Sequence, residues 1–208
     1  MLTISEQLFE EFCRRVKIRC ERVPEAEART PDYDVFLDGL RVVVEIKEID
    51  LPVPDSNGVT GFTVGQAARN AIKKASKQIK ARADHRVPGV IVLFEERWMQ
   101  LESHNILHAM YGAHTVDIAV PRDMSVEPTI RGHRLGAGRQ MTEEQNTSIG
   151  AVAHLERLSL DGISLTVYHN RYARLPIAPE RFAAYGIKQY VLPEASGYGI
   201  PKWHEVDV

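Results

Sequence analysis

The chain has 208 residues, of which 44% are hydrophobic and 26% charged, and its formal net charge is −2. This balance is ordinary for a globular protein and is not that of a generally basic nucleic-acid binder, so any nucleic-acid contact has to come from local patches. Only Cys13 and Cys20 are present, which excludes a disulfide framework and a four-cysteine zinc site, and no apolar run reaches the length of a membrane span. We expect one cytoplasmic domain over 1–208, with reduced thiols, no signal peptide and no membrane partner.

The first elements that the sequence predicts are a helix, a short strand and a hairpin. Thr3 and Glu6 have the spacing of a capping box, which predicts a helix over 4–17. A strand over 19–23 follows. Apolar and polar residues then alternate over 30–48, as expected for the two strands of a hairpin.

The register of this hairpin brings charged side chains together. Asp38-Gly39 is a strong two-residue turn signal, and with that turn the numbers of paired residues sum to 77. Asp32 then lies directly opposite Glu45, and Lys47 lies two residues further along the same face. Like charges directly opposed destabilise a sheet, so this cluster indicates a function, and a divalent cation would remove the repulsion.

A loop, a basic helix and a buried strand come next. Residues 48–62 contain two prolines and two glycines and predict a loop. Thr63 and Gln66 have the spacing of a second capping box, at the start of a helix that the Val-Pro-Gly sequence at 87–89 ends. The continuously apolar run over 90–94 predicts a strand covered on both faces.

The second half of the chain predicts further elements of the same domain. They are a helix over 98–111 that stops at Gly112, a strand over 115–120, a hairpin of strands over 149–158 and 163–169, a short helix over 179–185 and an edge strand over 188–192.

Asp32 follows a proline, and a Glu-Ile-Lys triplet runs from Glu45 to Lys47 after a hairpin. These two segments resemble the motif of the PD-(D/E)xK nuclease superfamily. The order helix, strand, hairpin, helix, strand over about 4–94 is also that of the superfamily's core. The resemblance implies an α/β fold with a restriction-endonuclease-like core (α-β-β-β-α-β, a mixed sheet flanked by helices) and a C-terminal α+β elaboration over about 95–208. It further implies an endonuclease that hydrolyses nucleic-acid phosphodiester bonds, with DNA favoured over RNA.

The same resemblance implies roles for individual residues. Asp32 and Glu45 are the expected ligands of Mg²⁺, with Mn²⁺ as a substitute, and Lys47 is expected to assist the attacking water. Asp34 is a second candidate ligand, because it shares the face of Asp32 one pair closer to the turn. Many members of the superfamily carry a glutamate directly after an aromatic residue on the first helix, and that glutamate reaches the metal or its water. Glu10 has this position in the present sequence and is expected to have the same role.

The helix after the loop has one strongly basic face. Asp84 is the one acid among the residues from 69 to 86, and the basic residues there are Arg69, Lys73, Lys74, Lys77, Lys80, Arg82 and Arg86. Such a face contacts either solvent or a phosphate backbone, and the shortage of acids favours nucleic acid, with Lys73, Lys77 and Lys80 as candidates. By resemblance, Lys77 and Gln78 are the residues expected nearest the active site.

A second basic segment covers 131–140 (RGHRLGAGRQ) and predicts a glycine loop. Its backbone amides and Arg131, Arg134 and Arg139 are suited to holding phosphates, whereas the alternative is a flexible surface loop. It lacks the G-K-[ST] ending of a nucleotide P-loop, which argues against an NTPase.

Two biological settings fit a nuclease of this type: defence or mobile elements, and repair or recombination. The alternative function is a catalytically inactive nucleic-acid-binding or protein-interaction module on the same fold, against which the complete acid, acid and lysine set argues. A small-molecule phosphodiesterase is disfavoured by the basic helix. The sequence leaves a homo-oligomer or a protein partner open.

Overall fold

The computed structural model describes residues 2–24, 30–49, 63–83, 86–96, 101–123, 125–158, 162–194 and 200–207. They form a mixed α/β structure with an eight-stranded sheet flanked by helices and a separate two-stranded sheet. The helices are α1 (Ile4–Arg15), α2 (Gln66–Arg82), α3 (Ser103–Tyr111) and α4 (Glu180–Ala183). The strands are β1 (Arg19–Arg22), β2 (Tyr33–Leu37), β3 (Leu40–Glu48), β4 (Gly89–Phe94), β5 (His114–Ala119), β6 (Thr129–Leu135), β7 (Ile149–Arg157), β8 (Ile163–His169), β9 (Lys188–Val191) and β10 (His204–Glu205). The loop predicted over 48–62 falls almost entirely outside the described residues.

The large sheet has the order β1-β2-β3-β4-β7-β8-β9-β10. Strands β1, β2 and β3 are antiparallel, β3, β4 and β7 are parallel, and β8 pairs antiparallel with β7. Most strands of the C-terminal part, predicted as an elaboration after residue 94, therefore extend the same sheet that contains the hairpin. Strand β9 was predicted at the edge, and this is wrong, because β10 pairs with it on its outer side.

Alternating side chains give the sheet two differently covered faces. On the α1 face, Phe9 and Phe12 belong to a buried cluster with Tyr33 and other residues of the strands. On the α2 face, residues of α2 and α3 such as Ile72 and Met110 are buried with the opposite set of strand side chains. Strand β3 therefore contributes to both cores, whereas the buried apolar side chains of β2 belong to the α1 core.

The starts of α1 and α2 differ in how well the sequence predicts them. The capping box of α1 is confirmed, since Thr3 Oγ1 accepts from the Glu6 amide and Glu6 accepts from the Thr3 amide. The capping box predicted at Thr63 is wrong: α2 begins after Gly65, which has a φ of +73° and makes no side-chain cap. A Cβ on Gly65 would lie 2.6 Å from the carbonyl oxygen of Asn105, so the glycine permits close contact between α2 and α3.

The register predicted for the hairpin is confirmed. Tyr33 pairs with Val44 and Leu37 with Leu40, so paired numbers sum to 77. Asp38 and Gly39 both have positive φ, as a two-residue type I′ turn requires. This turn fixes the positions of the candidate active-site residues.

Candidate active site

Asp32, Glu45 and Lys47 lie next to one another beside the start of β2 and the end of β3. Asp32 Oδ2 accepts a hydrogen bond of 2.7 Å from the backbone amide of Ile46. Lys47 Nζ donates to Glu45 Oε1. Val44 and Ile46 face the α1 core, so Glu45 and Lys47, which alternate with them, lie on the α2 face. The structure thus brings together the three residues that the motif singled out.

Glu45 has an unusual environment for a carboxylate. Its side chain is 0% exposed, and Oε2 is buried and has no hydrogen-bond partner of normal geometry among the described residues. Burial raises the pKa of Glu45 to about 7, and the charge of Asp32 adds to the rise, while the ammonium of Lys47 and the backbone amide of Asp32 oppose it. A buried carboxylate oxygen without a donor is a position where a cation would be stabilised.

Asp32 is perturbed in the same direction. Burial raises its pKa, and the Ile46 amide and the charge of Lys47 oppose the rise. Two adjacent acids therefore both resist ionisation, and the positive charges of Lys47 and Arg22 only partly compensate them. A divalent cation would favour the ionised form of both acids.

Asp34, the second candidate ligand, has a different set of partners. Arg41 donates to both of its oxygens at 3.1 and 2.9 Å, and Arg82 of α2 donates to Oδ2 at 2.7 Å. Asp34 pairs with Val43 in the register. Two guanidinium groups already balance its charge and attach α2 to the hairpin, so the geometry favours Asp32 as the partner of Glu45.

The acids of α1 divide between two environments. Glu10 accepts a hydrogen bond of 2.9 Å from the hydroxyl of Tyr33, a fully buried residue of the α1 face. Glu6, one turn earlier, accepts from Arg22 at 3.2 Å, and its charge contributes to raising the pKa of Asp32. Glu6 is therefore the α1 acid that acts electrostatically on Asp32, whereas the Tyr33 hydroxyl holds Glu10.

The sequence did not point to two further half-buried titratable residues, which lie on β7 and directly after β4. In the parallel strands, Lys47 is aligned with Leu93 and Leu93 with His154. Burial lowers the pKa of His154 to about 4, so its imidazole is neutral at pH 7. Glu95 follows β4 directly. Burial raises its pKa to about 7, and the Leu101 amide opposes the rise. Neither carboxylate oxygen has a hydrogen-bond partner of normal geometry in the part of the chain that the structure describes. The acid directly after an apolar strand was the one local signal for Glu95.

The basic face of α2 is largely available to solvent. Lys73, Lys77 and Lys80 are exposed. Gln78 Nε2 donates to the carbonyl oxygen of Thr30 at 3.3 Å, so α2 reaches the segment just before Asp32. The exposed lysines therefore belong to the helix that contacts the candidate active site.

The second basic segment is only partly a loop. Residues 131–135 belong to β6, so the prediction of a glycine loop is wrong for them; Gly132 pairs with Asp117 beside an irregularity in the register, as at a β-bulge. Arg131 is exposed, and the Arg134 guanidinium donates to Asp117 at 3.0 and 2.9 Å. Arg139 lies in the exposed segment after β6.

The residues present fit a magnesium ion better than a metal held by protein ligands alone. Within the described ranges, no group of three or more His, Cys, Asp and Glu side chains is placed to hold a metal ion. Mg²⁺ keeps several waters and commonly uses only one or two carboxylates. Asp32 and Glu45 are such a pair, and Glu45 Oε2 is a buried acceptor without a donor.

Comparison with known proteins finds no matching family model, no matching curated protein and no matching solved structure. The resemblance to the nuclease superfamily thus depends on the motif residues and on the order of the elements. In the part of the chain that the structure describes, no helix has the length and apolar character needed to cross a membrane.

Proposed function

We propose that the protein is a metal-dependent nuclease with a restriction-endonuclease-like core, that its substrate is DNA rather than RNA, and that its ion is Mg²⁺. The observation that supports this most is the Glu45 carboxylate, fully buried with a free Oε2 beside Asp32 and Lys47. Burying a charge costs free energy unless it is fully paired. A valine at this position would pack without that cost, so an acid here is better explained by chemistry than by stability.

Asp32 and Glu45 would hold the ion. When bound, Mg²⁺ would supply polarisation of a phosphoryl oxygen and a lower pKa for a water molecule. The hydrogen bond from the Ile46 amide orients the Asp32 carboxylate before any ligand arrives. Both acids are therefore positioned by the hairpin itself, one by a backbone donor and one by Lys47.

Lys47 is suited to contact the reacting groups. Its ammonium has three donors, of which Glu45 Oε1 takes one, and its side chain is 24% exposed. The remaining donors can orient the attacking water or stabilise the negative charge that develops on the phosphate. The buried apolar side chains of Val43 and Ile91 beside Glu45 lower the local dielectric and strengthen these interactions.

The α2 helix supplies the nucleic-acid contact in this proposal. The bonds from Arg82 to Asp34 and from Gln78 to the Thr30 carbonyl attach the helix to the hairpin. Its exposed lysines, including Lys73, Lys77 and Lys80, are therefore carried at a fixed position relative to the acids. Their ammonium groups are suited to the phosphate backbone and do not depend on base sequence.

The decisive experiment is incubation of the purified chain with supercoiled, linear and single-stranded DNA and with RNA, in Mg²⁺, Mn²⁺ or chelator. We expect metal-dependent cleavage by wild type and by the control Glu144→Gln, which changes an exposed acid. Glu45→Gln and Lys47→Met should both lose cleavage while keeping a cooperative melt. The absence of cleavage of every substrate by the wild type in both metals would contradict the proposal. Metal-independent binding without cleavage would instead support the alternative of an inactive nucleic-acid-binding module.

A further inference from the structure

A cleft of about 480 Å³ is lined by residues of α3, β6 and β10 and by the segments that follow β6, β8 and β9. The residues that carry its chemistry are Tyr111, Arg139, Arg171, Tyr172, Lys202 and His204. Its volume is within the range of small-molecule sites, roughly 300–1,000 Å³. None of its lining residues belongs to the candidate active site.

The cleft is cationic, and most of its cations have no carboxylate partner. Arg139, Arg171 and Lys202 form no ion pair within the described residues, whereas Arg134, which also lines the cleft, is paired with Asp117. Among the lining residues that the structure describes, Glu194 is the one acid. Cations that converge on one cavity with few acids repel one another, and an anionic ligand would remove that repulsion.

Arg171 is fixed in position by groups that leave its charge uncompensated. Its guanidinium lies 5.2 Å from the ring centroid of Tyr111 and 4.8 Å from that of Tyr172. It donates to the Tyr172 hydroxyl at 2.7 Å and to the Pro193 carbonyl at 3.3 Å, while the Arg171 amide donates to the Tyr111 hydroxyl at 3.1 Å. A guanidinium held by aromatic rings and neutral oxygens is preorganised to bind an anion.

Arg139 is placed by the backbone around the end of α3. Gly112 has a φ of +95°, and a Cβ there would lie 2.9 Å from Arg139 Cγ, so the glycine makes room for this side chain. The amide of Gln140, the next residue, donates to the carbonyl of Met110 at 3.0 Å. These contacts hold the main chain at Arg139 in position, while the Arg139 side chain is exposed.

The wall of the cleft also carries apolar and aromatic surface. Leu135, Leu192 and Ile200 line it together with the rings of Tyr172 and His204. Guanidinium groups recognise phosphate by two parallel hydrogen bonds, and aromatic rings stack on nucleobases. Phosphate recognition next to a site for a planar group is the combination that a nucleotide requires, whereas an acidic peptide would leave the apolar and aromatic wall without a partner.

We propose that this cleft is a binding site for a nucleoside 5′-phosphate, separate from the candidate active site. The strand order places β4, β7 and β8 between β3 and β9, a separation of about 19 Å at the usual strand spacing of about 4.8 Å. A free nucleotide and the 5′-phosphorylated end of a strand offer the same chemistry to the cleft. The proposal does not depend on cleavage, because the ligand is recognised without the acids of the hairpin.

The test is isothermal titration calorimetry of the full chain in chelator, which prevents hydrolysis. The probes are AMP, GMP, CMP and UMP separately, adenosine, inorganic phosphate, a short oligonucleotide with and without a 5′-phosphate, and a glutamate-rich peptide. The variant is Arg139→Glu combined with Lys202→Glu, and the control is Arg14→Glu, which reverses an exposed charge on α1. Arg139 and Lys202 are both exposed, so the double variant should keep the thermal melt of the wild type.

We expect at least one nucleotide to bind at one site per chain, at least tenfold more tightly than adenosine and than inorganic phosphate. The double variant should weaken this binding by tenfold or more, and Arg14→Glu should leave it unchanged. Binding by the 5′-phosphorylated oligonucleotide but not by free nucleotides, with the same dependence on the variants, would support the site and identify a strand end as its ligand. The proposal is overturned if neither form binds, if the double variant binds like the wild type, or if the peptide binds and the nucleotides do not.

Discussion

Replacing Glu45 by glutamine should stabilise the metal-free protein above neutral pH. Glutamine keeps the shape of the side chain and represents the protonated acid without its charge. Glu45 is 0% exposed, one of its oxygens has no partner, and burial raises its pKa from 4.5 to about 7. The unfolded chain releases the proton near pH 4.5, whereas the folded protein keeps it until about pH 7.

The sign and size of the effect follow from proton linkage. Between these two pH values the folded state binds more protons than the unfolded state, so the free energy of unfolding decreases as the pH rises. The pKa difference of about 2.5, at 1.36 kcal/mol for each pH unit, gives a penalty of about 3 kcal/mol that is complete above pH 7 and absent below about pH 4.5. For a chain of this length that corresponds to a shift of roughly 6–12 °C in Tm.

The assay is urea unfolding of wild type, Glu45→Gln and the control Glu144→Gln at pH 5 and pH 8, in chelator and in Mg²⁺. In chelator, Glu45→Gln should be more stable than wild type at pH 8 and should differ little at pH 5, while the control follows the wild type. Mg²⁺ should stabilise the wild type at pH 8 and leave Glu45→Gln unchanged, because an ion that binds only the folded state stabilises it. Equal pH dependence in all three proteins, or a Glu45→Gln variant that is less stable in chelator at pH 8, would refute this reasoning.

Three other perturbations test the surroundings of the site. Charge reversal at Lys73, Lys77 and Lys80 should weaken nucleic-acid binding in chelator. It should also reduce the slope of the logarithm of the binding constant against the logarithm of salt concentration by roughly 0.7–0.9 for each lost phosphate contact. Equal slopes for wild type and variant would show that this face of α2 only contacts solvent. Asp34→Asn should reduce the free energy of unfolding by about 1–3 kcal/mol, because two arginines lose their counter-charge; the loss is moderate because both arginines are partly exposed. Urea unfolding together with a cleavage assay would separate this structural role from a loss of metal binding. Glu95→Gln should stabilise the protein at pH 8 more than at pH 5, since burial raises the pKa of Glu95 to about 7; thermal melts at the two pH values measure this, and an effect equal at both would contradict it.

The hairpin was predictable because its information is local. Period-two alternation defines the two strands, and Asp38-Gly39 fixes their register through backbone conformations that few residues adopt. The positions of Asp32, Glu45 and Lys47 follow from that register alone. The start of α2 was predicted wrongly because it depends on tertiary contact: Thr63 had the right spacing for a cap, but the approach of α3 selects Gly65.

The residues that the sequence did not reveal depend on pairings between distant parts of the chain. His154 is aligned across the sheet with Leu93 and Lys47 only because β7 pairs parallel with β4, and no local sequence pattern indicates which strand will pair with β4. The electrostatic effect of Glu6 on Asp32 similarly depends on how α1 packs on the sheet. The two-residue strand β10 is too short to give a period-two signal, so its place beyond β9 was equally hidden.

The proposal of chemistry at the hairpin depends on the free-energy cost of burying Glu45. A penalty of about 3 kcal/mol is a large part of the roughly 5–15 kcal/mol by which ordinary domains are stable. Asp34 shows how this fold neutralises an acid that serves structure: two arginines donate to it, and it joins α2 to the hairpin. Among the described residues, Glu45 accepts from one lysine and keeps an oxygen without a hydrogen-bond partner, beside a second acid whose pKa is also raised. A cation at Glu45 and Asp32 would remove both penalties, and this difference between neighbouring acids is the reason for proposing a metal at Glu45 and a structural salt bridge at Asp34.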